Sequence, residues 1–160
     1  MCRNHTFRPA CPTDANALLT LYRQMIGLPG CTWVEEYPAM ENIEEDLSLS
    51  ALYVLTQGNA LAAAVTLGPL DDTNELPGWE GETGYELSRL CVRRDLQGKG
   101  VAGFLLDSAL AAAPCPWVRL LVSPGNTAAV RLYTSRGFMP RGKTFMYGHD
   151  YIMMERRNRL

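Results

Sequence analysis

The segment Leu90-Cys91-Val92-Arg93-Arg94-Asp95-Leu96-Gln97-Gly98-Lys99-Gly100-Val101-Ala102-Gly103 runs from an apolar strand through a glycine turn into the start of a helix. Such a turn exposes backbone N–H groups that have no intrahelical acceptor. The helix dipole adds partial positive charge at the same place, so a phosphate or pyrophosphate is the ligand it suits. Glycine at positions 98, 100 and 103 permits close backbone approach, and Lys99 adds charge. A P-loop would need Ser or Thr after Gly-Lys, where Gly100 stands. Gly98 to Gly103 also spells the dinucleotide fingerprint G-x-G-x-x-G. That fingerprint calls for an acid about 20 residues later to hold a ribose, and none stands between Asp107 and Asp150.

A third pattern fits better. Gln97-Gly98-Lys99-Gly100-Val101-Ala102 reads Q/R-x-x-G-x-G/A, and Asn126-Thr127-Ala128-Ala129-Val130-Arg131-Leu132-Tyr133-Thr134-Ser135-Arg136-Gly137-Phe138 reads N-x-x-A-x-x-L-Y-x-x-x-G-F. With the opening Phe7-Arg8-Pro9-Ala10 through Asp14, these resemble the GNAT acetyltransferase superfamily over nearly the whole chain. The resemblance implies an α/β fold: an α+β mixed sheet of about seven strands with about four helices. It also implies one N-acetyltransferase domain over residues 1–160, with acetyl-CoA as co-substrate. By the same resemblance the backbone of Gln97, Gly98, Lys99, Gly100, Val101 and Ala102 grips the coenzyme's diphosphate. Leu90, Cys91 and Val92 would pair with its pantetheine arm, in a strand splayed by a bulge from the strand at Trp117–Val122. The Val92 N–H would point at the thioester carbonyl, and Asn126 would meet a pantetheine amide.

Acyl transfer to an amine requires an anchored donor, deprotonation of the ammonium, a hydrogen-bond donor for the developing oxyanion and an acid for the leaving thiolate. Tyr133 is the candidate acid. It stands seven residues after Asn126, two helical turns on, so the two face the same way. A lone tyrosine at helical spacing would read as a core aromatic; the N…LY…GF pattern favours the functional reading. In some members of the resembled family a Glu six residues before the strand Val acts as base, often through water, and Glu86 stands six before Val92, which makes it the candidate base. Strand alternation places Glu86, Ser88, Leu90 and Val92 on one face. An acid on a core-forming strand is costly without a partner or a task, and burial raises its pKa. A salt bridge to Arg89 or Arg93, or a substrate-binding role, is the other reading of Glu86. Alternation points Cys91 away from Glu86, and the resembled family usually transfers directly, so a packed thiol is favoured over an acyl-enzyme. His5 and His149 have no partner at ligand spacing, so both read as surface or turn residues and no metal site is expected.

The elements that must position these groups alternate along the chain. A strand at His5–Arg8 precedes a helix capped at Thr13 or Asp14 and running to about Met25, then a loop with Cys31, Trp33 and Tyr37. A short acidic helix near Met40–Leu47 leads to strands Leu52–Thr56 and Leu61–Leu67 around Gln57-Gly58-Asn59. Gly68–Gly84 is loop. Strand Tyr85–Val92, helix Gly100–Ala113, strand Trp117–Val122 and a helix from Asn126 to Arg136 ended by Gly137 follow. Strands Phe138–Tyr147 and Tyr151–Glu155, joined by Gly148-His149-Asp150, close the chain.

Composition narrows the partners. The 160 residues are 47% apolar, enough for one core, and no apolar run reaches the roughly 20 residues of a membrane span. Met1 to Arg8 lacks the apolar stretch of a secretory signal, and the five cysteines form no CxxC pair, so a cytoplasmic protein with free thiols is expected. Residues 1–92 hold 13 acids and 4 basic residues, a balance of −9; residues 93–160 hold 4 acids and 11 basic residues, a balance of +7. The basic half suits an anionic coenzyme, and the acidic half a cationic acceptor. A primary amine of a small molecule or peptide is therefore expected. It would be drawn by Glu35, Glu36, Glu41, Glu44, Glu45, Asp46, Asp71, Asp72, Glu75, Glu80 and Glu82, with Trp33, Tyr37 and Trp79 between them. Those acids could equally be a solvated surface. A pI of about 5.7 and the lack of aromatic–basic alternation argue against nucleic acid. A homodimer through the C-terminal strands is common in the resembled family. A non-catalytic acyl-CoA-binding module on the same fold is the alternative function.

Overall fold

The stretch Ala60–Gly68 is alanine-rich, yet alanine is a poor strand former. In the computed structural model, which describes residues 4–69 and 73–158, it is nevertheless a strand inside a seven-stranded sheet. Ala62, Ala63, Ala64 and Val65 are all fully buried. Small side chains let helices approach both faces, and that burial outweighs the local preference.

The strands are β1 (His5–Pro9), β2 (Leu52–Gln57), β3 (Ala60–Gly68), β4 (Tyr85–Val92), β5 (Trp117–Val122), β6 (Met139–Met146) and β7 (His149–Arg157). The helices are α1 (Ala15–Arg23), α2 (Met40–Ser48), α3 (Val101–Ala112) and α4 (Thr127–Ser135). This is the mixed sheet with four helices expected from the resemblance. The sheet order is β1-β2-β3-β4-β5-β7-β6, antiparallel except for the β4–β5 pair. On one face, Leu18, Leu21 and Tyr22 of α1 and Ile43 of α2 pack on Leu52, Val54, Ala64 and Cys91. On the other, Leu105, Leu106 and Ala109 of α3 and Tyr133 of α4 pack on Leu55, Ala63, Val65, Leu87, Val92, Val118 and Leu120. The buried positions of α3 recur at Val101, Leu105, Leu106, Ala109 and Leu110, the stripe of a core-facing helix.

Most boundaries fall where the residues suggest. The last hairpin does not. Its two-residue loop is Tyr147-Gly148, with φ of +53° and +79°, and His149 and Asp150 are already strand. Two positive φ values make the tight turn whose twist matches paired strands, and one glycine suffices when the partner residue tolerates the left-handed region. His149 is thus a strand residue, exposed on β7, and not part of the turn.

Among the described residues, helices cover the β2-β3-β4 half of the α1/α2 face. Over the β5-β7-β6 half lies the loop from Thr73 to Gly84, fastened by buried charge. Arg119 and Glu155, both 0% exposed, form an ion pair at 3.1 Å. The Arg119 guanidinium also donates to Asn74 Oδ1 and to the Gly81 carbonyl, and it stacks over Trp79 at 5.1 Å. Glu155 accepts from the N–H groups of Glu80 (2.8 Å) and Gly81 (3.2 Å) and from Arg141 (3.0 Å). Arg141 in turn reaches Glu80 at 2.6 Å.

Burial alone would push the Glu155 carboxyl up. The two backbone N–H groups and the two guanidinium groups outweigh it and hold the group below its ordinary value of 4.5. Because the folded pKa is depressed, the stabilisation is present above that ordinary value and is lost as pH falls through the folded one. Glu155→Gln leaves a buried guanidinium without its carboxylate. It should cost about 3–5 kcal/mol, read as a lower urea midpoint at pH 7, and the acid-induced part of the wild-type loss should flatten in the variant.

Candidate active site

Strands β4 and β5 are joined by two rungs only, Tyr85–Val118 and Glu86–Arg119. Beyond them β5 pairs with β7 and β4 with β3, so the two strands part. The Arg93 N–H donates to the Ala62 carbonyl at 2.8 Å. One residue earlier, the N–H and C=O of Val92 must point to the opposite edge, into the gap. Gln97 Nε2 caps that carbonyl at 3.0 Å. The Val92 N–H therefore faces the opening.

The glycine turn lies directly after this strand. A 3-10 turn at Arg94–Leu96 leads to Gly98 (φ +75°) and Gly100 (φ +80°), both exposed. A Cβ added at either would meet nothing within 4 Å. Backbone conformation calls for glycine there, and the space above holds no protein atoms. The first ladder bond of α3 runs from Phe104 N–H to the Gly100 carbonyl, so the N–H groups of Val101, Ala102 and Gly103 have no acceptor in the helix. Gln97 departs from the expectation. Its own N–H goes to the Arg94 carbonyl at 3.4 Å, so its side chain braces the turn and its backbone does not join the open amides. Arg94 ties the turn to the end of α1 through the carbonyls of Gln24 (2.6 Å) and Ile26 (3.1 Å). These residues fit a diphosphate-bearing coenzyme: open amides at a helix start, with a strand N–H facing the gap beside them.

The parity of β4 differs from simple alternation. Ser88 pairs with Thr66 and Cys91 with Ala64, so Arg89 and Leu90 together oppose Val65 alone. This is a bulge, and Arg89 occupies it at φ +49°. A non-glycine residue there costs about 1–3 kcal/mol. The bulge resets the faces. Leu87, Leu90 and Val92 belong to the α3/α4 core, whereas Cys91 belongs to the α1/α2 core. Glu86 and Ser88 are thus on the side of Cys91, opposite Leu90 and Val92; the single face drawn from alternation is corrected. Glu86 is half-buried on that side, next to the last rung with Arg119 and at the boundary between the helices and the Thr73–Gly84 loop.

On the far side of the gap, Asn126 caps α4, its Oδ1 accepting the Ala129 N–H at 3.3 Å. The α1–α2 loop reaches across to it: a Cβ on Gly30 (φ +77°) would lie 2.4 Å from the Asn126 backbone. Tyr133 is buried two turns further along, edge-on to Phe138 at 5.6 Å, and burial pushes its phenol up. The Cys91 thiol is pushed up to about 12, by burial first of all.

Several expected acceptor-side acids are already engaged. Asp46, 1% exposed, binds Arg89 at 2.7 Å and accepts from Thr66 Oγ1 at 2.8 Å. Glu35 pairs with Arg23 and Glu80 with Arg141. Trp79 is fixed by its bond to the Thr73 carbonyl and by Arg119, and Trp33 packs edge-on to Tyr22. Glu36, Glu41, Glu44, Glu45, Glu75 and Glu82 remain exposed. Asp71 and Asp72, like Cys2, lie outside the described residues. Residue patterns did not single out Thr66, Arg119 or Glu155, and they gave Asp46 no partner. The available signal was an ionisable residue within an apolar strand or on the inner stripe of a helix.

Among solved structures the chain is similar to a GNAT-family acetyltransferase from Streptococcus agalactiae, at 16% identity and a TM-score of 0.84, over 99% of this chain and 98% of that one. It is similar to ribosomal-protein-alanine N-acetyltransferase from Brucella melitensis at 23% identity and a TM-score of 0.75, over 95% and 99%. A third likeness is to yncA of Salmonella typhimurium, solved with its cofactor acetyl-CoA, at 19% identity and a TM-score of 0.75, over 98% and 95%. At these identities the likeness speaks for the fold. No curated protein matches the sequence significantly. The family model described as acetyltransferase (GNAT) family matches residues 18–138, which include the glycine turn, both parting strands and the α4 motif. The chain belongs to the acetyltransferase (GNAT) family.

Proposed function

We propose that the chain, acting as one domain, moves an acetyl group from acetyl-CoA directly to a primary amine of a small molecule or peptide. The observation that carries this reading is the Val92 N–H turned into the β4–β5 gap, next to the open amides of Val101, Ala102 and Gly103. Bound acetyl-CoA supplies a thioester, whose acyl carbon takes the amine and whose thiolate leaves.

The chain's own groups then divide the work. The amides from Gly98 to Gly103, with Lys99 beside them, hold the diphosphate at the positive end of α3. Leu90 to Val92 give the pantetheine arm a strand edge, and the Val92 N–H meets the carbonyl oxygen as negative charge develops on it. Asn126 spends Oδ1 on its cap and keeps Nδ2 as a donor to the arm. Glu86, on the face that opens between the helices and the Thr73–Gly84 loop, takes the proton from the acceptor ammonium, directly or through water. Tyr133, like any tyrosine, is protonated at neutral pH, and its hydroxyl donates to the leaving sulfur. The acceptor is a cationic amine, drawn by the acids that remain exposed. The Brucella melitensis neighbour is named for alanine of a ribosomal protein, an acceptor of the peptide class. A cytoplasmic setting belongs to the same reading, supported by the free thiols of Cys11, Cys31, Cys91 and Cys115.

Titration with coenzyme A should give heat and a rise in melting temperature, and a nicotinamide dinucleotide should give neither; the reverse would overturn the assignment. With an amine panel and thiol release as the assay, Glu86→Gln and Tyr133→Phe should each lower kcat by about 10²-fold or more, with the KM for acetyl-CoA little changed. Wild-type binding without thiol release from any amine would favour an acyl-CoA-binding module. Direct transfer also requires an idle Cys91. Iodoacetamide at pH 8 should label Cys11 in the native protein and leave Cys91 untouched until the chain is unfolded, as read by mass spectrometry.

A further inference from the structure

The β4 bulge places a bulky residue, Arg89, in the left-handed region at φ +49°, where glycine would be at ease. What holds it there lies on α2 and β3. The Arg89 guanidinium grips Asp46 through Nε to Oδ2 (3.2 Å) and through Nη2 to Oδ1 (2.8 Å) and Oδ2 (2.7 Å). Asp46 is nearly fully buried and also takes the Thr66 hydroxyl at 2.8 Å. Thr66 is the β3 residue paired with Ser88, the last residue before the bulge. One carboxylate on α2 therefore touches both strands at the point where their register slips. The remaining arm of the guanidinium, Nη1, donates to the Tyr37 hydroxyl at 2.9 Å, in the loop between α1 and α2. A buried ion pair is a weak source of stability compared with packed apolar side chains; its better-attested use is to select one arrangement of the backbone.

We infer that Arg89 and Asp46 are positioning residues: their pairing holds the extra residue of β4 in place, so that the Val92 N–H faces the gap, and ties the Tyr37 loop to the same point. Without the bulge, a one-residue slip would turn the Val92 N–H back to β3 and reverse every side chain beyond it. The inference rests on the acetyl-transfer reading only for its consequence in turnover.

The test uses the full chain, with Arg89→Met, Arg89→Gly and Asp46→Asn. In the ligand-free wild type, amide exchange by NMR should find Arg93 protected and Val92 open. Arg89→Met should alter this pattern, with Val92 gaining protection. In the thiol-release assay its kcat should fall by about 10²-fold, while the KM for acetyl-CoA, which keeps its diphosphate contacts at the helix start but loses part of the Leu90–Val92 edge, should rise by less than the kcat falls. Arg89→Gly, which takes the left-handed conformation unaided, should restore the exchange pattern and most of the kcat. A purely structural salt bridge would not be rescued by glycine. Asp46→Asn, which keeps size and hydrogen-bonding capacity, should fall between the wild type and Arg89→Met in both readouts, and it decides the matter if Arg89→Met does not fold. A wild-type exchange pattern in Arg89→Met or Asp46→Asn overturns the inference, as does an Arg89→Gly no better than Arg89→Met. If the wild type releases no thiol from any amine, the functional reading fails, while amide exchange still decides the role of the pair.

Discussion

Everything in this molecule turns on a strand pairing that stops. After Glu86 and Arg119, β4 and β5 no longer share hydrogen bonds, although both continue for several residues. Inside a sheet, a strand N–H without a partner is costly unless water or a ligand reaches it. The fold meets that constraint by opening the gap beside the helix start at Val101, where further amides are unsatisfied. An extended, amide-bearing ligand with a diphosphate at one end matches both sets of donors. The coenzyme of the family has that chemistry, and the geometry explains why strand, glycine turn and helix must be consecutive.

Opposed to the gap stand two buried ion pairs with different work. Arg119 and Glu155 cluster with Arg141 and Glu80 and staple a loop that has no secondary structure over half of one sheet face. Arg89 and Asp46 reach from a helix to the bulge itself. In each case desolvation opposes the pair, and several hydrogen bonds per charged group offset it. Apolar side chains could fill the same volume, but they would not hold a loop or an irregular strand in a single geometry. Half-buried Glu86 lies on the same face, at the last rung before the strands part.

The repeating elements were legible from residue types. The Asn126 cap and the Gly137 stop frame α4, the stripe of Val101, Leu105, Leu106, Ala109 and Leu110 marks α3, and Gly58 marks the β2–β3 hairpin. The glycine turn was readable for the same local reason: the positive φ of Gly98 and Gly100 and the helix start at Val101 depend on a few adjacent residues. Misreadings arose where a distant partner decides. Alternation put Glu86 with Val92, because nothing in the residues of β4 announces the extra position at Arg89. Asp46 and Glu80 read as acids that draw an acceptor or solvate a surface, because their partners lie 43 and 61 residues away in sequence. Gln97 read as part of the phosphate grip, yet it spends its side chain on Val92.

By itself the sequence determined the period of each element, the glycines that turns require and the two motifs that mark the family. These are short-range properties, set by sterics and by hydrogen bonds within a helical turn or a hairpin. Only the tertiary structure decided where β4 slips against β3, which face Glu86 takes, which acids are engaged in ion pairs and which amide looks into the gap. Each of those depends on a contact between residues far apart along the chain, and a carboxylate such as Asp46 has no assigned work until folding brings Arg89 and Thr66 to it.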